Sequence, residues 1–437
     1  MKKRILIGLS LVVVGVAGLI AALYYHDQTK TRTVRGSSSI EFVTGQAPGK
    51  KKRPRRVVKE TPWPQYGFDA ARSHFAADFK HRPPFRRLWM VETHQYIEFP
   101  PSVADNRVFV ASQHGEFMAI HAKTGKIAWR KNFGSCMAAS PAIVGNTVVQ
   151  SVMNPTPCAR GSRESQPGFV VAMNAKTGRQ KWRFKTGVVE SSPLVVGRLV
   201  YFGTWNHRVY ALDIRSGRVR WSYDTGDEID SSAAYADGMV YIGTNSGRVF
   251  ALDAGTGAYR WSASSFSRFG QREYFYATPT IAYGRVYIGN TDGTLYAFGA
   301  RTGHLLWAQH AGTYVYSAAA VWQHRVYVGT YDGRFRAFDA ATGDPIWTWE
   351  APGKIHGAPT VMAGLVYFAT TSAPSRNAQR YVKNGERGIY ALNARTGKLV
   401  WQHLGIGQYS PIVADSSRVY IVGSTRIYGV ESRKPGS

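Results

Sequence analysis

Short runs in which apolar and polar residues alternate recur along most of the chain. RVYALD at 208–213, RVFALD at 248–253 and TLYAFG at 294–299 show this pattern. Alternation with a period of two is typical of a β-strand that packs on at least one face. Gly with Asn, Asp or Arg falls between the runs, as in ADGM and YGRV, and predicts tight hairpin turns. The pattern therefore predicts an all-β protein of short antiparallel strands.

A motif of Thr or Ser, Gly, three further residues and Trp interrupts this pattern seven times. The motifs end at Trp129, Trp182, Trp221, Trp261, Trp307, Trp347 and Trp401, and an eighth Trp, Trp89, stands before the first of them without the Thr-Gly pair. Repeats of about forty residues, each holding four strands, are typical of a β-propeller, in which each repeat forms one blade.

The two ends of the repeat region indicate how the ring closes. After Trp401 the chain offers three more strands, YSPIVA, RVYIVG and RIYGVES, and no fourth. Before the first complete unit, RRLWMVE reads as a fourth strand without the first three. The two halves complete one blade, so the sequence predicts a monomeric eight-bladed propeller over residues 62–433, with four-stranded antiparallel blades and a short tail at 434–437.

The ALDxxTGxxxW units and the segment WPQYGFDAARSHFA, which begins at Trp63, carry a family resemblance. They resemble the pyrroloquinoline-quinone-type propeller repeat, and the resemblance implies that each Trp docks between its own blade and the next. Quinone-dependent alcohol dehydrogenases share this repeat with the propeller lipoprotein of the outer-membrane protein assembly machinery. The resemblance therefore implies a fold and leaves the function open.

The cysteines separate this chain from the dehydrogenase pattern. Members of that class sandwich the quinone between a Trp and a disulfide of adjacent cysteines, and they hold Ca²⁺ with Glu, Asn and Asp. Here Cys136 and Cys158 are the two cysteines, and they are not adjacent. We expect them to form a disulfide that staples the long loop of blade 2. We accordingly expect no cofactor, no metal and no catalytic residue, with a quinone- and Ca²⁺-dependent alcohol or sugar dehydrogenase as the alternative.

The first sixty residues differ in composition from the repeats. A basic stretch at 1–4 precedes an apolar run at 5–25, which is long enough to span a bilayer and predicts a single transmembrane signal anchor; a cleaved signal peptide is the alternative. Residues 26–61 are basic, poor in aromatics and predicted to be a disordered linker. The expected location is the cytoplasmic membrane, with the propeller on its extracytoplasmic side.

The chain carries a net charge of +28 at neutral pH. The run KKKRPRR in the linker fits attraction to anionic lipid headgroups or to anionic envelope polymers, or a solvated tether. No base-reading element accompanies the charge, so nucleic acid is not an expected partner.

Propeller geometry divides the loops between two faces. The Thr-Gly turns join third to fourth strands and lie on one face, here the Thr-Gly face. Three longer insertions, at 151–168, 264–276 and 371–388, lie on the opposite, insertion face. Repeat proteins commonly build binding surfaces from such insertions.

The innermost strand of each blade is predicted to begin at the rim of the axial channel on the insertion face. The rim positions are Glu98, Met137, Glu190, Asp230, Tyr276, Tyr316, His356 and Tyr409. All of them except Met137 are candidates for ligand binding, and polar lining of a water-filled channel is the alternative for the carboxylates.

From these features we hypothesise a membrane-anchored, non-catalytic scaffold. It would bind an envelope protein, or help to assemble the envelope, through its insertion face. A sensor or adhesin that binds anionic envelope polymers is a second alternative beside the dehydrogenase.

Overall fold

The computed structural model describes residues 15–22, 33–44, 62–93, 95–156, 158, 166–268, 270–371, 387–406 and 412–433. Residues 15–22 of the predicted anchor form a short helix, and the rest of that segment lies outside the described residues. Within the described ranges, no helix has the length and apolar character needed to cross a membrane.

Eight four-stranded antiparallel blades follow one another around a ring. In the chain, blade 1 is preceded by β1 (Phe75–Ala76), which adds a short parallel strand to the inner edge of blade 7, and by β2 (Phe85–Glu92), which belongs to blade 8. Blade 1 consists of β3 (Ser102–Ala104), β4 (Arg107–Ala111), β5 (Glu116–His121) and β6 (Ile127–Asn132). Blade 2 consists of β7 (Ala142–Val144), β8 (Thr147–Val152), β9 (Gly168–Asn174) and β10 (Gln180–Thr186). Blade 3 consists of β11 (Leu194–Val196), β12 (Leu199–Gly203), β13 (Arg208–Asp213) and β14 (Val219–Asp224). Blade 4 consists of β15 (Ala234–Ala236), β16 (Met239–Gly243), β17 (Arg248–Asp253) and β18 (Tyr259–Ser264).

A two-stranded ribbon on the insertion face, β19 (Ser267–Arg268) and β20 (Gln271–Arg272), leads into the second half of the ring. Blade 5 consists of β21 (Thr280–Ala282), β22 (Arg285–Gly289), β23 (Thr294–Gly299) and β24 (Leu305–His310). Blade 6 consists of β25 (Ala320–Trp322), β26 (Arg325–Gly329), β27 (Arg334–Asp339) and β28 (Pro345–Glu350). Blade 7 consists of β29 (Thr360–Met362), β30 (Leu365–Thr370), β31 (Gly388–Asn393) and β32 (Leu399–Leu404). Blade 8 consists of β33 (Ile412–Ala414), β34 (Val419–Gly423), β35 (Arg426–Ser432) and β2.

Blade 8 confirms the predicted closure. Its outermost strand, β2, pairs antiparallel with β35, and Met90 lies opposite Tyr428. The first and last strands of the propeller therefore share one sheet, and the ladder hydrogen bonds of that sheet tie the two ends of the propeller together.

The repeated Trp side chains join neighbouring blades. The indole of Trp221 in blade 3 donates a hydrogen bond to the carbonyl oxygen of Ala254 in the Thr-Gly turn of blade 4, at 2.9 Å. The hydroxyl of Tyr201 donates to the same oxygen at 3.0 Å. Equivalent indole bonds lead from Trp89, Trp129, Trp182, Trp261, Trp307 and Trp347 to the following blade. The repeated Trp and Tyr positions thus hold the ring together.

The glycine of each Thr-Gly turn lies flat against the preceding blade's Trp. At Gly257 the backbone has φ +75°, and an added Cβ would lie 2.6 Å from the ring of Trp221. Gly238 has a similar φ of +82°, but an added Cβ would meet nothing within 4 Å. The two positions therefore share the backbone strain that an alanine would introduce, and only Gly257 adds a steric clash.

This pair makes a test of the blade-docking contact. Gly257→Ala is expected to lower the free energy of unfolding by about 2–4 kcal/mol, because left-handed strain and overpacking add. Gly238→Ala, the matched control, is expected to cost about 1 kcal/mol from strain alone. Urea unfolding of both variants measures the difference, and equal losses would show that the Trp does not restrict the turn.

The segment Trp63–Ala76, which precedes β2 in the chain, fills the axis of the propeller and is here called the plug. Its backbone carbonyls accept hydrogen bonds from the middle amide of six innermost strands, as in Val103 to Trp63 at 2.7 Å and Val361 to His74 at 2.8 Å. In blade 3 the amide of Val195 donates to the side chain of Gln65 instead. The inner strands face the channel with otherwise unpaired amides, and the plug satisfies them.

Residues 33–44, here called the strap, differ from the predicted disordered linker. They lie on the Thr-Gly face across blades 5 and 6, where the Val43 amide donates to Tyr283 O and the Gly36 amide donates to Thr342 O. The buried guanidinium of Arg285 donates to strap carbonyls, including Ser37 at 2.8 Å and Ile40 at 2.6 Å. Composition alone missed this order because its main anchor, Arg285, lies in the propeller.

Candidate functional site

One cavity on the insertion face collects most of the predicted rim positions. It encloses about 530 Å³, including space open to solvent, and is here called the cup. Its lining includes Glu98, Glu190, Asp230, Tyr276, Tyr316 and His356. Each of these residues comes from the entrance to a different blade, so the ring itself brings them together. Tyr409 lies outside the described residues, and Met137 is buried among apolar side chains between blades.

Sequence reasoning missed the inner end of the cup. Tyr66 of the plug contributes to the lining, together with Phe99 from the loop before blade 1. The ring of Tyr66 meets His74 edge to face, with centroids 5.0 Å apart. The density of aromatics in the non-repeating segment from Trp63 onward was the available signal, since such residues need a buried surface to pack against.

Hydrogen bonds fix the polar side of the cup. The Tyr276 hydroxyl donates to Glu190 at 2.6 Å, and Glu190 is buried. Asn245 donates to Asp230 at 3.0 Å. Burial, followed by the charges of Glu190, Asp230 and Glu98, raises the pKa of Tyr276 well above its ordinary value. Tyr276 therefore stays protonated and acts as a donor.

The other side of the cup opens onto a group of aromatic rings, here called the tyrosine cluster. It comprises Tyr276, Tyr314, Tyr316, Tyr331 and His356. Tyr316 and His356 stack with centroids 5.0 Å apart. The ammonium of Lys354 lies 4.0 Å from the ring centroid of Tyr331, a favourable cation–π geometry. These residues come from the entrances to blades 5, 6 and 7 and one inter-strand loop.

Beyond the cluster, Tyr274 stands out from the loop that follows the β19–β20 ribbon, with half of its surface exposed. The tyrosine cluster and the exposed ring of Tyr274, which precedes Tyr276 by two residues in the same loop, are here called the aromatic surface of the insertion face.

The cysteines lie beside the cup and not within its lining. Cys136 and Cys158 form a disulfide, with sulfur atoms 2.08 Å apart, between the entrance to blade 2 and its insertion. Their apolar neighbours include Met153 and Val188. The bridge therefore holds the start of the insertion against the ring.

The described lining of the cup lacks one part of the dehydrogenase pattern, the disulfide of adjacent cysteines. The disulfide is not a platform in the cup, and no three His, Cys, Asp or Glu side chains of the described ranges are grouped closely enough to hold a metal ion. The hydrogen bonds of Glu190 and Asp230 described above instead make them part of a polar wall.

The repeat region and its fold are similar to those of known proteins. The family model described as outer membrane protein assembly factor BamB matches residues 86–233, 224–321 and 291–434. The crystal structure of BamB from Moraxella catarrhalis superposes with a TM-score of 0.64 at 18% identity, covering 79% of this chain and 99% of that one.

Curated relatives match over shorter stretches. BamB of Burkholderia pseudomallei is 29% identical over 126 residues, which is 29% of either chain. The lanthanide-dependent methanol dehydrogenase of Methylorubrum extorquens is 35% identical over 123 residues, covering 23% of this chain and 20% of the enzyme. The matches thus span a third or less of the curated relatives' length.

Proposed function

Since the chain belongs to the family described as outer membrane protein assembly factor BamB, we propose that it is a non-catalytic scaffold for assembly of the cell envelope. Its insertion face would bind a protein partner. The observation that carries this proposal is the aromatic surface of the insertion face, formed by Tyr274 and the tyrosine cluster.

Tyrosine suits such a surface for a physical reason. It offers a large amphipathic contact area and has few rotatable bonds to immobilise on binding. Aromatic residues are accordingly enriched in interfaces and in the side chains that dominate their energy. Here Tyr316 is already held by His356 and Tyr276, so little further ordering is required when a partner binds.

The charged residues of the insertion face indicate which charge a partner would carry. Eight acidic residues lie in the described loops of the insertion face: Glu98, Glu190, Asp227, Glu228, Asp230, Glu273, Asp292 and Asp332. Four basic residues share those loops, namely Arg268, Arg272, Lys354 and Arg387. Five further basic residues of the insertions lie outside the described ranges. The described lining of the cup holds three carboxylates and no Lys or Arg, so the mouth of the cup suits a partner that presents basic side chains.

We further propose that the apolar segment 5–25 attaches the chain to the cytoplasmic membrane and that the propeller lies on the extracytoplasmic side. The hydropathy of the segment supports attachment, and the Cys136–Cys158 bridge is compatible with an oxidising compartment. The partner would then be an envelope protein.

Site-specific photo-crosslinking tests the proposed face. Tyr274 and Tyr259 are 50% and 51% exposed, and Tyr259 lies on the outer strand β18, away from the cup. A benzophenone amino acid at position 274 is expected to capture a discrete envelope protein in intact cells, and the same group at position 259 is not. Tyr316→Ala in the first background should reduce capture at least tenfold, as loss of an interface hot spot does.

Equal capture from both positions, or capture that Tyr316→Ala leaves unchanged, would mean that the aromatic surface is not the binding site. Quinone binding at the cup with a stoichiometry of one would instead revive the dehydrogenase alternative.

A further inference from the structure

The Thr-Gly face carries a charge opposite to that of the described insertion face. Its seven Thr-Gly turns hold nine exposed basic residues: Lys123, Lys126, Lys176, Arg179, Arg215, Arg218, Arg301, Arg395 and Lys398. One acidic residue, Asp344, occurs in the same turns, and Asp213, Asp253 and Asp339 end the strands that lead into three of them. The repeat places these turns side by side, so the basic side chains form a discontinuous ring around the end of the propeller.

The strap does not change the net charge of this face, because it contributes one basic residue, Arg35, and one acidic residue, Glu41. Arg35 lies 2.8 Å from the carboxylate of Asp344. The eight hairpin turns between first and second strands, which lie on the same face, add three acidic and two basic residues. An excess of positive charge therefore remains across the whole face.

The strap also connects this face to the apolar end of the chain. Val34 bridges to Ala308 in blade 5, and twelve Cα-to-Cα steps connect it to the last described residue of the N-terminal helix. At about 3.6 Å per residue, that connection spans at most about 43 Å. Val34 lies beside the middle of the outer strand β24, whereas Gly36 and Val43 of the strap bond to the Thr-Gly face. A bilayer that holds the apolar segment is within reach of that face.

We propose that the Thr-Gly face docks on an anionic lipid surface, which leaves the insertion face pointing away from the membrane toward its partner. This inference rests on the proposed membrane attachment and adds the orientation of the propeller. Anionic headgroups would interact with the Lys and Arg side chains of the turns, and the strap would restrict rotation about the tether. Lipid is favoured over a soluble anionic polymer because the proposed membrane attachment would keep this basic face within about 43 Å of a bilayer.

Vesicle cosedimentation of the full chain tests the charge dependence. The vesicles contain phosphatidylcholine alone or with a third of phosphatidylglycerol. Each Lys or Arg near an anionic surface strengthens binding by roughly fivefold. The variant Lys126→Gln, Arg179→Gln, Arg218→Gln is therefore expected to bind anionic vesicles up to about a hundredfold more weakly. It should bind neutral vesicles as the wild type does.

The matched control removes the same charge elsewhere. Lys185→Gln, Arg272→Gln, Arg387→Gln replaces three exposed basic residues away from the Thr-Gly turns. The basic linker and apolar segment are unchanged in both variants, so their contributions cancel. Less than a twofold change in the control is expected, and equal losses in the two variants would overturn the proposal.

Orientation is read separately with a fluorophore on Thr177→Cys or on Tyr274→Cys and a quencher on the lipid headgroup. Stronger quenching is expected at position 177. The difference should be lost in about 0.5 M salt, because the Debye length then falls to about 4 Å and the charges are screened. Stronger quenching at position 274 would reverse the orientation. Binding of polyphosphate that depends on the three turn residues, with vesicle binding unchanged, would assign the face to a polymer and overturn the lipid assignment.

The vesicle and quenching experiments do not depend on the protein partner proposed for the insertion face. Failure of crosslinking at Tyr274 with intact lipid dependence would remove the proposed scaffold function and leave the membrane-facing surface in place.

Discussion

Replacing Arg72 with methionine is expected to lower the free energy of unfolding by about 3–5 kcal/mol. Arg72 lies fully buried in the plug, and its guanidinium donates to the backbone of three different segments. The acceptors are the carbonyl oxygens of Ala233 at 2.9 Å, of Ser192 and Pro193 at 3.4 and 3.3 Å, and of Tyr66. The variant leaves these carbonyls without a donor in a buried site.

The same contacts explain why a charge is retained at the axis. Burial lowers the pKa of Arg72 to about 10, so the guanidinium is still protonated at neutral pH. Five N–H groups in a planar fork can reach several carbonyls that no neutral side chain of this size could satisfy together. Arg72 therefore ties the innermost edges of blades 3 and 4 to the plug.

Urea unfolding measures the loss, with Arg179→Met as the control because Arg179 is exposed on a turn. The control is expected to change stability by less than about 0.5 kcal/mol. Limited proteolysis within the plug should accelerate in Arg72→Met. If stability and proteolysis were unchanged, the plug would not be an integral part of the fold.

The number of blades could be predicted from the sequence because each blade repeats the same local chemistry. The Trp and Gly positions recur with every repeat, and the unmatched strands at the two ends allow one closure. The plug and strap could not be predicted in this way, because neither repeats. Their order depends on hydrogen bonds to distant residues, as between Ala233 and Arg72 or Ser37 and Arg285.

Trp401 occupies a repeat position whose surroundings differ from those of the other repeated Trp residues. Its motif matches the rest, but the next blade is the composite one, where no Thr-Gly turn joins β35 to β2. Phe85 occupies the position of the turn glycine, and its ring meets Trp401 edge to face at 5.4 Å. The sequence predicts a Trp at this position but not the apolar cavity beside it, which Ile406 and Tyr428 help to line.

The candidate site was predictable in its position and only partly in its composition. Glu98, Glu190 and Asp230 were predicted at the channel rim because each precedes the innermost strand of a blade. Tyr314 was missed although it precedes Tyr316 by two residues in the same loop. Tyr331 lies in another loop, and only the fold brings its ring to Tyr316.

Acidification is expected to destabilise the plug through His74. Burial, followed by the charge of Arg72, lowers the pKa of His74 to about 3, whereas an unfolded histidine titrates near its ordinary value of about 6.5. The stabilising contribution is complete above the unfolded pKa and is lost as the pH falls from there toward the folded pKa. Between pH 7 and pH 4 the loss amounts to about 3 kcal/mol.

His74→Phe removes the titration while keeping an aromatic ring against Tyr66, and its stability should fall less steeply between pH 7 and pH 4 than that of the wild type. The pH slope is the measured quantity, so a constant packing cost of the phenyl ring does not affect the result. His74→Asn serves if phenylalanine prevents folding, because asparagine tolerates the positive φ of 51° at this position. His114→Gln, at an exposed histidine, should retain the wild-type slope. Parallel slopes for all four proteins would mean that His74 has the same pKa in the folded and unfolded states. It would then become protonated within the fold on acidification, next to the charge of Arg72.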